Sequence, residues 1–268
     1  MLSLAHNDVI PVGAVYTAFN GDVYTEGMKF PEINLNDNYS FGDYEYYYHI
    51  DAYQQQIVGW RAISVEDKTK TSYGEILYEI NNKDVVCIDN LFSRCREMMS
   101  SPKIPQSVKL MRGAFSDCVK LTVPPKIPNS MYDMSMAFMG CSSLKVAPDI
   151  PFGVTKLSHT FYGCYSLLDA PAIPSTVIDM KYTFYGCKSL VNAPNIPYGV
   201  ANMEFAFANC ESLTTVLEIP SSVVFFDFIF EGCNKLKTVP NSIQEKCALK
   251  DGKKDSAFMR MMKRIIGK

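Results

Sequence analysis

Nine cysteines and three histidines are the residues of this 268-residue chain best suited to bind a metal, close a disulfide or attack a carbonyl. His6, His49 and His159 each lack the neighbours of a known nucleophile or metal motif. No C-x-x-C, H-E-x-x-H, G-x-S-x-G or glycine-rich phosphate loop occurs. Seven cysteines, Cys95, Cys118, Cys141, Cys164, Cys187, Cys210 and Cys233, instead recur every 23 residues. On units stacked about 4.8 Å apart their thiols form a line and not a tetrahedron. The same spacing exceeds the roughly 3.5–4.5 Å between Cβ atoms that a disulfide needs. They are expected to be reduced, buried and to pack as small hydrophobes. No catalytic, cofactor-binding or metal-ligating residue is assigned, so the expectation is a non-enzymatic protein without a cofactor. Paired carboxylates are brought together by a fold and not by spacing, which keeps a hydrolase within residues 1–71 open as an alternative.

The elements that carry these cysteines repeat with them. Three residues before each stands Phe92, Phe115, Phe138, Phe161, Phe184, Phe207 or Phe230, and three after stands Met98 or a leucine, from Leu121 to Leu236. Prolines follow at Pro125, Pro148, Pro171 and Pro194. An Ile-Pro pair comes next, from Ile104-Pro105 to Ile219-Pro220, and then an apolar pair such as Val154/Leu157 or Val177/Met180. A 23-residue unit cannot bury its own apolar face and must stack on its neighbours, which predicts a solenoid over 93–243 with short parallel strands along one side. Prolines within so short a strand remove ladder donors and predict a narrow, irregular sheet.

The unit C-x-S-L-x-x-A-P-x-I-P-x-x-V-x-x-M-x-x-x-F-x-G resembles the BspA-like leucine-rich repeat over about 150 residues. The resemblance implies an α/β repeat solenoid. Its Ala-Pro-x-Ile-Pro form, preceded by Tyr73-Gly74-Glu75-Ile76-Leu77, is similar to the variant in proteins of gut bacteria and their phages. That likeness implies a protein-interaction module: a phage virion structural or host-recognition protein or, alternatively, a bacterial cell-surface adhesin. The partners it implies are other virion proteins or a host surface receptor, with a homo-oligomer as a further option.

The ends differ in charge from the middle. Residues 1–90 carry a net −9, residues 91–244 a net +2 and residues 245–268 a net +5, and the whole chain only −2, which gives no general attraction for nucleic acid. Residues 1–71 read as a small β-rich N-terminal domain, with alternation in 60–65 and an aromatic run at 44–49 better suited to a strand and its core than to a ligand platform. Residues 72–92 read as the N-terminal cap, opening on an amphipathic helix over 72–80. Residues 244–268 read as a linker and a C-terminal amphipathic helix, with Phe258, Met261, Met262, Ile265 and Ile266 on one face. That helix suits a cap folding back on the solenoid, a dock for a partner or a membrane-surface contact. The N-terminus lacks the marks of a secretory signal, and no stretch approaches a membrane span. The expected location is the virion, assembled in the host cytoplasm, with the bacterial cell surface as the alternative.

Equal positions of successive coils line up as rows, so Met136, His159, Tyr182, Phe205 and Phe228, eighteen residues after successive cysteines, form a stripe. Tyr162 and Tyr185 form a second, shorter row. The candidate interface is His159, Tyr162, Tyr182, Tyr185, Phe205 and Phe228, with packing against the next coil as the other reading of the same rings. The strand side, with Lys126, Lys145, Asp149, Asp169, Asn192 and Glu218, is expected to be mixed in charge, nearly free of aromatics and unsuited to stacking on sugars.

Overall fold

The structure, a computed structural model, describes residues 14–17, 23–25, 28, 38–50, 57–65, 67–80 and 83–244. The linker and amphipathic helix expected over 244–268 lie, beyond Gln244, outside these residues.

Strands β1 (Ala14–Thr17), β2 (Val23–Tyr24), β3 (Asn38–Phe41), β4 (Tyr44–Ile50), β5 (Ile57–Val65), β6 (Glu79–Ile80) and β7 (Lys83–Cys87) form one sheet in the order β2-β1-β3-β4-β5-β7-β6. β1 to β5 are antiparallel neighbours, whereas β5 meets β7 in parallel. Along β5, Trp60 and Ala62 are buried with Arg61 exposed between them, the period of a strand with one face in a core. In the aromatic run, Tyr44 and Tyr46 are core residues, and Tyr44 packs edge-on against Phe92.

β7 hands the chain to the repeats. Parallel bridges step from Cys87 to Leu110, Asp133, Lys156, Asp179, Asn202 and Phe225, one per 23 residues. A second, broken row of bridges joins Ser100 to Val123, Val146 to Asp169 and Asn192 to Thr215. Each bridge is one residue wide, and the repeat prolines fall between the two rows. This is the narrow sheet that missing N–H donors produce.

The far side of each coil departs from the α/β expectation, because it is built of successive turns. Among the described residues the helical stretch is the single turn at 241–244. In the coil around Phe138, the N–H groups of Ala137, Met139 and Cys141 donate to the carbonyls of Met134, Met136 and Phe138 within the coil. Those of Met134, Met136, Phe138 and Gly140 donate across to Lys156, Ser158, Thr160 and Tyr162 of the next. Each backbone donor thus has a partner without a helix. Alternating in this way requires a left-handed residue at two places per coil, the site occupied by Met136 and that occupied by Gly140.

The seven phenylalanines are buried and stack along the axis, centroids 5.2–5.9 Å apart. Beside them each thiol from Cys118 to Cys233 donates to the carbonyl of the phenylalanine one coil back, at 3.0–3.2 Å. The described cysteines are all free. Burial pushes the Cys118 and Cys233 thiols up to about 12 and that of Cys187 well above its ordinary value. These are inert packing thiols.

The helix expected over 72–80 is absent; the segment runs extended. Its polar backbone is satisfied by side chains of the preceding strands. Tyr44 Oη donates to Gly74 O (2.6 Å), Leu77 N donates to Tyr46 Oη (3.1 Å) and Trp60 Nε1 donates to Ile80 O (3.0 Å). Apolar spacing compatible with a helix is here overridden by three tertiary hydrogen bonds. Tyr73 and Tyr44 cover the ring of Phe92, the first rung of the phenylalanine stack.

Candidate functional site

The aromatic stripe expected from the repeat forms as a ladder. His159 stacks on Tyr182 with centroids 4.7 Å apart, Tyr182 on Phe205 at 4.6 Å and Phe205 on Phe228 at 4.8 Å. Tyr162 and Tyr185 stack at 4.7 Å and lean against the first row through Tyr182 at 5.6–6.3 Å. The structure therefore brings all six candidate residues into two adjoining rows. All six are half-buried, and Met136 beyond them is exposed.

Every rung of the longer row has a left-handed backbone, with φ of 57° at His159, 54° at Tyr182, 55° at Phe205 and 57° at Phe228. The same place is held by Asn90 and Gly113 in the first two coils, residues that adopt this conformation readily. A large side chain costs roughly 1–2 kcal/mol there. Ring stacking returns about 0.5–1.5 kcal/mol per pair, so the two effects nearly cancel at each rung. The fold tolerates aromatics at this place but does not require them.

Because the rings face one another, their flat faces are consumed within the ladder and their edges are what the surface presents. That excludes stacking of a sugar between rungs and suits a protein surface, with Lys181 beside the Tyr182 ring at 5.8 Å and paired with Glu204 at 2.9 Å. His159 Nδ1 lies 2.9 Å from Ser158 Oγ. Burial, assisted by the charge of Lys181 and opposed by Asp179, holds the His159 imidazole below its ordinary pKa, so the ring favours its neutral form. Among the described residues no group of three His, Cys, Asp or Glu side chains could hold a metal ion.

The strand side needs correction. Lys126, Lys145, Asp149, Asp169, Asn192 and Glu218 are exposed and mixed in charge, as expected. Beside them, however, run the exposed aliphatics Val123, Val146, Leu168 and Val191, and the other bridge row and the turns before it expose Tyr132, Phe152, Tyr198 and Phe225. The reading by charge overlooked them because each falls at a place where other copies carry a polar or small residue. The contrast of Phe152 and Tyr198 with Asn129, Ser175 and Ser221 at the same offset was the available signal.

The BspA type leucine rich repeat region matches this sequence in six copies, over residues 78–191 and 155–248. The chain belongs to the BspA-type leucine-rich repeat family. No curated protein matches it. A solved leucine-rich repeat protein of T. pallidum is similar in fold, with a TM-score of 0.59 and 23% identity over 78% of this chain and 94% of that one. So is a leucine-rich repeat protein of Bacteroides ovatus, at a TM-score of 0.58 and 23% identity over 74% of this chain; the match spans about half of that protein, 52% of its length. At that identity the likeness establishes the fold alone. Leucine-rich repeats of this family are in general interaction modules, and no enzyme family is indicated. Among the described residues no helix is long and apolar enough to cross a membrane.

Proposed function

We propose that this BspA-type repeat protein recognises another protein through the edge-on aromatic ladder of His159, Tyr162, Tyr182, Tyr185, Phe205 and Phe228. One observation carries the reading. Large rings occupy four consecutive left-handed positions whose counterparts in the first two coils are asparagine and glycine, which fill them without strain, and strained outliers of this sort gather at functional sites. Tyrosine and phenylalanine are also the side chains enriched at interface centres.

In this reading the chain is a structural or host-recognition component of a phage virion, whose partners are other virion proteins or a host surface receptor. The repeat variant supports that assignment. The alternative, an adhesin on a bacterial cell surface, is favoured by the bacterial origin of both solved relatives. The boundaries at 71/72, 92/93 and 243/244 belong to the same proposal and are open to limited proteolysis.

Recovery of the chain in purified particles supports the first assignment, and recovery in the cell envelope the second. In either case Tyr182→Ala with Phe205→Ala should abolish assembly or binding to cells while leaving the circular dichroism spectrum unchanged. A folded double variant that assembles and binds like the natural chain would exclude the ladder as the interface.

A further inference from the structure

Phe152 and Tyr198 are the most exposed large apolar side chains of the solenoid, at 74% and 75%. They hold the same place, eleven residues after Cys141 and Cys187, and lie two coils apart. Each is the second residue of a Pro-aromatic-Gly-Val turn, closed by Val154 N donating to Pro151 O at 3.3 Å and by Val200 N donating to Pro197 O at 3.4 Å. The glycine in third place has φ of 117° in one turn and 132° in the other, a conformation that side-chain-bearing residues rarely adopt. Each turn is also tied to the following coil. Gly153 N donates to Thr176 Oγ1 and Gly199 N to Ser222 Oγ, both at 3.2 Å. The aromatic residues therefore project from two fixed and equivalent backbones.

Between them the intervening coil carries Ser175, exposed and without a ring. The bridges from Lys156 to Asp179 and from Asp179 to Asn202 set one strand spacing per coil, so the two ring-bearing turns stand about 9.6 Å apart. Elsewhere on the same solenoid, aromatics in successive coils stack at 4.6–4.8 Å. Half the spacing of the two turns thus matches the stacking interval of the ladder. Phe152, Ser175 and Tyr198 make a three-rung row whose middle rung has no ring. Ile178, three residues beyond Ser175 and 54% exposed, adds an apolar group on that middle coil.

We propose that Phe152 and Tyr198 clamp one aromatic side chain of a partner polypeptide, which enters over Ser175 and stacks between the two rings. An inserted ring makes two stacked contacts at the interval seen in the ladder. An aliphatic side chain would gain burial but no ring–ring geometry, and a flexible chain would lose more rotamer freedom on insertion. A single aromatic anchor seated in a fixed notch is the usual form of an interface hot spot. This clamp shares no residue with the His159–Phe228 ladder, so it stands or falls separately from the ladder as an interface.

The probe is N-acetyltryptophanamide, titrated into the full chain carrying ring-labelled phenylalanine and tyrosine. The Phe152 and Tyr198 signals are assigned by their loss in Phe152→Ala and Tyr198→Ala. Both signals should move upfield together and saturably, the ring-current signature of a stacked indole, and N-acetylleucinamide and N-acetylargininamide should leave them in place. Ser175→Tyr supplies the middle ring from the chain itself. Ser175 is exposed, so the variant should fold and lose the response. Tyr182→Ala with Phe205→Ala should keep it. Signals that do not move, that move equally with the leucine or arginine probe, or that still respond in Ser175→Tyr would overturn the clamp.

Discussion

At the scale of single residues, the repeat cysteines and His159 show how position in the coil decides chemistry. A thiol needs exposure to react; the seven repeat thiols are buried, and each from Cys118 to Cys233 spends its proton on a phenylalanine carbonyl. In native buffer a thiol reagent should leave all seven unmodified, with Cys247→Ser as background, and should label them together once denaturant unfolds the solenoid. Rapid labelling of Cys164 or Cys187 in native buffer would contradict the burial. His159 makes a pH prediction of definite sign. Its folded pKa is depressed, so the folded state binds the proton less readily than the unfolded chain. The histidine therefore costs no stability above its unfolded pKa of about 6.5, and destabilises progressively as the pH falls below that toward the folded value. Between pH 7.5 and 5.5 the natural chain should lose more stability than His159→Phe, measured as the shift in denaturation midpoint. Equal losses would mean that the ring titrates as if exposed.

At the scale of elements, what could be read from the chain depended on whether a signal was repeated. Seven copies of Phe-x-x-Cys, six followed by x-x-Leu and one by x-x-Met, each vote for the same buried place, and Phe161, Cys164 and Leu167 are all fully buried. The six aromatics were legible as rows for the same reason. Their left-handed backbone was not legible, because it arises from hydrogen bonds alternating within and between coils. The extended segment over 72–80 occurs once, and its apolar spacing is compatible with a helix. Its conformation is set by Tyr44, Tyr46 and Trp60, about thirty or twenty residues away in sequence. Local periodicity contains no information about such partners. The clamp aromatics were missed for a related reason: two copies in six look like variation until coil spacing turns them into a pair. The cap can be tested by removing one hydroxyl. Tyr46→Phe leaves the Leu77 N–H buried without its acceptor, which should cost about 1–3 kcal/mol in chemical denaturation. A loss within experimental error would show that the segment is held by packing alone.

At the scale of the molecule, hydrogen bonds, stacked rings and ion pairs in the repeats run mostly between residues in the same or adjacent coils. Arg112 with Asp89, Lys120 with Glu97 and Lys181 with Glu204 are each 23 residues apart. Stability in such a molecule is close to a sum over coils and their interfaces, so an internal coil should be removable. Deleting residues 164–186 joins Gly163 to Cys187 and restores the register. Cys187 then occupies the place of Cys164 and can donate to Phe138 O, Phe207 follows Phe161 in the spine, and His159 meets Phe205 in the ladder. The losses are one coil of burial, the Tyr162–Tyr185 stack and the Lys181–Glu204 pair, the last worth about 0–1 kcal/mol at the surface. The shortened chain should fold cooperatively at a lower denaturation midpoint. Its denaturant slope should fall by roughly one seventh of the solenoid's share, since that slope follows the surface exposed on unfolding. It should also lose the Phe152–Tyr198 clamp, because the two turns would become adjacent and their rings would close on each other at one coil spacing. An insoluble or non-cooperative product would mean that contacts beyond nearest neighbours hold the solenoid together, and the one-dimensional account of its stability would then fail.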